Sequence, residues 1–305
     1  MKILSFLTLA AAAVAALPAT PEAAAAEKTF NVLVYSRTNG FRHHDAINAG
    51  KPFFEKQGEA LGFGVKTSED PNEFSAENLK KYQAVVLLNT TGNFLDDKSG
   101  SANEEARKNA FEQWVKDGGA VVGLHSATDG YAKWPVFWKI IGGTFKHHPH
   151  HQTCVLEKLD ARHPAAAPVK GAVLTNPANP DPRAKIELKA EWVVWDEWYV
   201  FRNLQRDSHV IFQVKAGTCK GRGRNPDELV SYYEGGEKCP THPFVWSREF
   251  GKGKVFYTSR GHYGSAFSEP EYAQHVIAGL FSVVGKPIPK VDPATLAPFP
   301  QKKKR

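Results

Sequence analysis

Residues 118–130 read Gly-Gly-Ala-Val-Val-Gly-Leu-His-Ser-Ala-Thr-Asp-Gly, and the rest of the chain is organised around them. The glycine pair closes a helix-like stretch. Ala120 to Leu124 is then a continuous apolar run, too short for a helix and without polar alternation. Such a run is a strand buried on both faces, the mark of a parallel sheet covered by helices. Ala84 to Leu88 repeats the signal, and Asn31 to Ser36 and Phe63 to Thr67 are weaker copies. Between them lie segments of helical period: Asp45 to Leu61, with Ile47, Phe53 and Phe54 on one side, and Asn103 to Asp117, with Ala106, Ala110, Phe111 and Trp114. Asp45 stands where a carboxylate caps the first of these. The alternation predicts an α/β fold with a parallel sheet and helices on both faces. Ligands of such sheets bind just outside the carboxyl ends of the strands. Three exits there are polar: Arg37 to Asp45, Asn89 to Asn93, and His125 to Asp129.

After Asp129 the pattern changes. Trp134 to Ile141 reads as a short aromatic helix, and the run His147-His-Pro-His-His151 follows. Strand-like runs at Thr153–Leu156, Glu191–Trp195, Val210–Val214, Phe244–Trp246 and Val255–Thr258 predict a mixed later sheet. Glu271 to Val284 reads as a last helix.

The ends differ from this body. Lys2 and the apolar run Leu4 to Ala16, followed by Ala24-Ala25-Ala26, have the form of a signal peptide. Residues 1–26 are therefore expected to be removed, with Ala16 and Ala25 as alternative cleavage points. The mature chain is expected in the periplasm or secreted, with no membrane span. Residues 285–305 read as a Pro-rich, then basic tail. The net charge of +7 draws on Lys220, Arg222 and Arg224 and on Lys302 to Arg305. Neither cluster has the interleaved aromatics of a nucleic-acid surface, so no nucleic-acid partner is expected. Of the three cysteines, Cys219 and Cys239 bracket a Gly-rich charged loop, and export predicts a bridge between them. Cys154, in an alternating apolar run, reads as a buried free thiol.

An ordered set of segments carries a family resemblance: Asn39-Gly-Phe-Arg-His-His-Asp-Ala-Ile47, Val122-Gly-Leu-His-Ser-Ala-Thr-Asp129, Trp134-Pro135 with Ile141-Gly-Gly-Thr-Phe145 and His148-Pro149, His163-Pro164, Asp196-Glu-Trp-Tyr199, and Gly251-Lys-Gly-Lys-Val-Phe-Tyr-Thr-Ser-Arg-Gly-His262. Together they resemble a ThuA-like domain, the trehalose-utilisation family, over residues 29–284. The resemblance implies a flavodoxin-like fold of the class I glutamine amidotransferase type, with a mostly parallel central sheet and additional C-terminal strands. It also implies carbohydrate catabolism, with disaccharides and their 3-keto derivatives as substrates. In amidotransferases the central strand ends in a cysteine nucleophile. The turn Gly123-Leu-His-Ser-Ala127 has none, so thiolate chemistry is excluded there.

The candidate catalytic residues are His125, Glu197 and Asp129: an imidazole and two carboxyls able to act as acid, base or metal ligand. Of the pair Asp196-Glu197, one faces the pocket, because neighbouring side chains on an extended segment point opposite ways. The resemblance favours Glu197. His44, His148, His262, Trp134 and Tyr199 are candidates for substrate binding, the two aromatics as stacking faces for a sugar. A metal is left open between none and a divalent ion, with His44, His125, His148, Glu197 and His262 as its candidate ligands. Pro149 breaks helical pairing within the histidine run, so His147, His150 and His151 read as exposed. The expected activity is cleavage of a glycoside or 3-keto-glycoside. The alternatives are a non-catalytic carbohydrate-binding protein using the same pocket and a serine hydrolase acting through Ser126.

Overall fold

The computed structural model describes residues 28–175, 185–188, 191–221 and 229–298. The expected signal peptide, Arg222 and Arg224, and the terminal basic run lie outside the described residues. In chain order the elements are β1 (Asn31–Tyr35), α1 (His44–Leu61), β2 (Gly64–Ser68), α2 (Ala76–Leu79), β3 (Ala84–Leu88), α3 (Ser101–Lys116), β4 (Ala120–Leu124), α4 (Pro135–Ile141), β5 (Thr144–His147) and β6 (Gln152–Lys158). They continue with β7 (Ala172–Thr175), β8 (Lys185–Leu188), β9 (Glu191–Asp196), β10 (Val200–Arg202), β11 (His209–Val214), β12 (Pro243–Phe250), β13 (Gly253–Thr258) and α5 (Pro270–Val284).

Nine strands form one sheet in the order β2-β1-β3-β4-β13-β12-β11-β6-β9. From β2 to β13 every pairing is parallel. From β13 to β9 every pairing is antiparallel. The parallel strands bury alternate side chains on opposite faces. Val32, Val34, Val86, Leu88, Val122 and Leu124 pack with α1 and α5 on one face, and Leu33, Tyr35, Val85, Leu87 and Val121 with α3 and α4 on the other. Burial on both faces is why β3 and β4, at the centre of this parallel half, are apolar throughout. No helix among the described residues is long and apolar enough to cross a membrane.

Two local expectations are corrected. Asp45 does not cap α1, whose N-cap is His43 without a side-chain bond. Its Oδ2 instead accepts from the Gly264 N–H (2.7 Å), tying the start of α1 to the segment after β13. The disulfide joins Cys154 to Cys219, not Cys219 to Cys239. The turn after β11 lies against β6: Lys215 N–H donates to Val155 O (2.8 Å), and Val155 N–H donates to Thr218 Oγ1 (3.2 Å). That places the Cα atoms of Cys154 and Cys219 5.2 Å apart, within bridging range. Cys239 is buried and unbridged, its N–H bonded to Ser231 O.

Candidate metal centre

Three histidines leave the carboxyl ends of the parallel strands. His43 follows β1, His125 begins a 3-10 turn directly after β4, and His262 follows β13. His125 adopts a left-handed backbone (φ 46°). That conformation costs a non-glycine residue about 1–2 kcal/mol, and it turns the chain sharply so that the imidazole projects over the sheet edge. Two bonds hold it. The Tyr257 hydroxyl donates to His125 O (2.7 Å), and His125 Nδ1–H donates to Ser259 O (2.8 Å). A carbonyl only accepts, so Nδ1 carries a proton, and Nε2 has its lone pair free to face inward whenever the ring is neutral.

Glu197 enters from the antiparallel half, just beyond β9. Asp196 fixes it there: Oδ2 accepts from the Gly261 N–H (3.1 Å) and Oδ1 from the Glu197 N–H (2.8 Å). Gly261 (φ 113°) admits no side chain, since a Cβ would stand 2.3 Å from the Tyr272 hydroxyl. The expected division is thus realised: Asp196 ties strand ends together and Glu197 faces the site.

Glu197 is the focus of five imidazoles. Its Oε2 is 3.2 Å from His125 Nε2, 3.1 Å from His262 Nδ1 and 3.9 Å from His43 Nε2. His262 Nδ1 is also 3.2 Å from His125 Nε2. Its Oε1 is 3.0 Å from both His148 Nε2 and His151 Nε2. Burial works against the carboxylate, but the contacts from His125, His262 and His43 outweigh it and hold Glu197 far below the usual carboxylate range. It is ionised at any working pH. Burial lowers His43 to about 4, so that ring is neutral near pH 7. Asp129, at the end of the His125 turn, moves the other way: burial raises its carboxyl to about 6, with His125 opposing.

The ligand atoms of His43, His125, Glu197 and His262 all lie within 4.8 Å of one another. Tetrahedral zinc with bonds of about 2.0–2.1 Å spaces its ligands about 3.3 Å apart, and the three shortest spacings are 3.1–3.2 Å. Buried His43 Nδ1 has no hydrogen-bond partner among the described residues. Neutral imidazoles and one carboxylate form a donor set for a first-row divalent ion. The residues therefore fit such a cation.

Several sequence expectations change. His44 is exposed on the first turn of α1, and its neighbour His43 occupies the site. The buried stripe Ala46, Ile47, Gly50, Phe53, Phe54 and Gln57 already pointed to this, because His43 is in phase with it and His44 is not. His151 joins His148 on Glu197 although Pro149 lies between them. The irregular segment around the proline, not a helix, brings both rings round. His150 is exposed. Trp134 is 8% exposed and packs against Tyr131 and Phe137 in the core. Tyr199 is 2% exposed, its ring centroid 4.4 Å from that of His125, where it backs the imidazole. Neither offers a face to a sugar. The exposed aromatics beside the site are Phe41, against His43, and Trp195, whose indole N–H donates to the Tyr263 hydroxyl (3.3 Å). Ser126 is buried, and its Oγ has no hydrogen-bond partner among the described residues, so no base activates it.

A sequence model of the ThuA family, described as trehalose utilisation, matches residues 31–281. Among solved structures, a ThuA-like protein of Bacteroides uniformis ATCC 8492 is similar, with 22% identity and a TM-score of 0.60, covering 87% of this chain and 95% of that one. A ThuA-like protein of Parabacteroides merdae ATCC 43184 is similar at 18% identity and a TM-score of 0.56, covering 87% and 93%. At these identities the likeness is one of fold. Comparison with curated proteins yields no match. With the family pattern spanning the strand exits that build the site, the chain belongs to the ThuA, or trehalose-utilisation, family.

Proposed function

We propose that this protein is an exported enzyme of carbohydrate catabolism that cleaves a glycoside, in its 3-keto form, with the help of a divalent cation. The observation that carries the reading is the convergence of Glu197 and buried, backbone-anchored histidines at the carboxyl edge of the sheet. His43, His125, His262 and Glu197 would hold the cation. When bound, it supplies Lewis-acid stabilisation for negative charge developing on a substrate oxygen.

A carbonyl at C3 acidifies the hydrogen at C2. Removal of that proton leaves its electron pair in a C2–C3 enolate. Expulsion of the C1 substituent moves the pair into a C1–C2 double bond and restores the C3 carbonyl. The departing oxygen takes up a proton, and addition of water across C1–C2 makes the net reaction a hydrolysis. As a ligand of the cation, Glu197 has its oxygens engaged and is not free for the proton transfers. Asp129, raised by burial to about 6, suits them, since a group titrating near the working pH both accepts and returns a proton. Phe41 (70% exposed) and Trp195 (56%) supply apolar faces for a sugar ring beside the site. The Cys154–Cys219 bridge supports an oxidising compartment and hence export.

The test is turnover of 3-keto and unmodified disaccharides by purified protein, with and without chelator. Cleavage of the keto-disaccharide, lost on chelation, is expected. Sugar binding without turnover of either substrate would replace this reading with that of a carbohydrate-binding protein. Intact mass of the exported protein should place its first residue near Glu27, and retention of Met1 would remove the export.

A further inference from the structure

We propose that Glu197 bridges two divalent-cation sites: the buried one described above and an outer one formed by His148, His151 and the other carboxylate oxygen, Oε1. The proposal rests on the reading of the buried cluster as a cation site.

The proton inventory supports it. His148 Nδ1 is 2.8 Å from Pro149 O, a carbonyl that can only accept, so the proton sits on Nδ1. When the ring is neutral, its Nε2 turns a lone pair toward Oε1 from 3.0 Å. His151 Nε2 meets the same oxygen at 3.0 Å, while its Nδ1 is occupied by the Tyr263 hydroxyl. These three donor atoms lie within 4.8 Å of one another. A proton bridges two acceptors. Two ring nitrogens converging on one carboxylate oxygen from different directions match the arrangement of metal ligands. His125 shows the same device, its Nδ1 held by Ser259 O and its Nε2 aimed at the opposite oxygen of the same carboxylate.

The two groups also divide by accessibility. Side chains of the inner set are 0–17% exposed, whereas His148 and His151 are 35% and 32% exposed. The inner set supplies four protein ligands, so a cation there would reach a substrate oxygen only by expanding to five-coordination. Three ligands and a solvent face leave the outer one with open positions, the pattern of a site that accepts water or substrate. A shared carboxylate suits two ions about 3.5–4 Å apart. The imidazole-rich donors select zinc, cobalt, nickel or iron over calcium or magnesium. The open positions would take adjacent oxygens of a polyhydroxylated or hydroxyketone substrate.

The mature protein, stripped by a strong chelator and dialysed, should be titrated with Zn2+ by calorimetry and its bound metal counted by elemental analysis. Two equivalents are expected. His148→Ala and His151→Ala, each checked by circular dichroism, should keep one equivalent and bind the second at least about a hundredfold more weakly, beyond the loss caused by removing an outer-shell partner. Glu197→Gln should weaken both. One equivalent in the wild type, unchanged in His148→Ala, overturns the outer site and leaves the inner reading standing. One equivalent that His148→Ala abolishes overturns the bridged pair. Absence of binding overturns both readings.

Discussion

Strands β3 and β4 are buried at every residue, whereas β6, β9 and β11 alternate buried positions with half-buried or exposed ones. The centre of the parallel half is thus stabilised by apolar burial on two faces, and β6, β9 and β11 have one wetter face and other supports. Cys154–Cys219 joins β6 to the turn after β11. His242, against Tyr199 O (2.9 Å), and His275, against Ala165 O (2.6 Å), are fully buried polar groups there. The site takes three histidines, 0–17% exposed, from the first half and a carboxylate with two more exposed histidines from the second. A rigid sheet edge can hold His125 in a strained conformation. The other half brings the charge that makes the histidines a site.

The largest expected effect comes from removing that charge. Glu197→Gln keeps the shape but leaves buried imidazoles facing a neutral amide, and turnover of a 3-keto-disaccharide should fall by about three orders of magnitude or more. His125→Ala, the corresponding change on the parallel side, removes a ligand of the cation and should cost about a hundredfold or more. Near-normal turnover in both folded variants would dissolve the division of roles. Reducing Cys154–Cys219 opens a loop of 65 residues, which chain-entropy reasoning values at about 4 kcal/mol. Hydrogen exchange should then rise in β6 and β11 and leave β3 and β4 protected. Equal loosening of both halves would contradict the contrast.

Acid should act through buried histidines outside the site as well. Burial lowers His242 to about 4 and His275 to about 3, against about 6.5 in an unfolded chain. Between those values the unfolded chain binds protons that the folded chain excludes. The stability is therefore fully present above pH ~6.5 and lost as pH falls through the window, by on the order of a few kcal/mol for the pair. Urea midpoints measured from pH 7 to pH 4 should fall, and His275→Gln should reduce the slope by about one proton. An unchanged slope would acquit this histidine. The smallest effect is on stability in His148→Ala: a partly exposed loop side chain should change the unfolding free energy by less than about 0.5 kcal/mol.

The apolar runs Ala84–Leu88 and Ala120–Leu124 were enough to place the parallel strands, because burial on both faces leaves no other composition. Polar exits after them pointed to the edge where the site lies, and the alternation of β9 let Glu197 oppose Asp196. Less was legible beyond Asp129. Among the described residues the short strands β5 and β10 form a separate two-stranded sheet, and nothing in a three- or four-residue run marks such a partner. His43 was confused with His44 because the helix start, not the residue type, decides which of two adjacent rings turns inward. The disulfide was misassigned because Cys154 and Cys219, 65 residues apart, meet only through the pairing of β6 with β11. By itself the sequence determined the layered fold, its ligand edge and the residue types gathered there, since periodicity and polarity are local properties. Only the tertiary structure decided that five of the histidines share one carboxylate, because that convergence depends on backbone angles and strand pairings that no local pattern encodes.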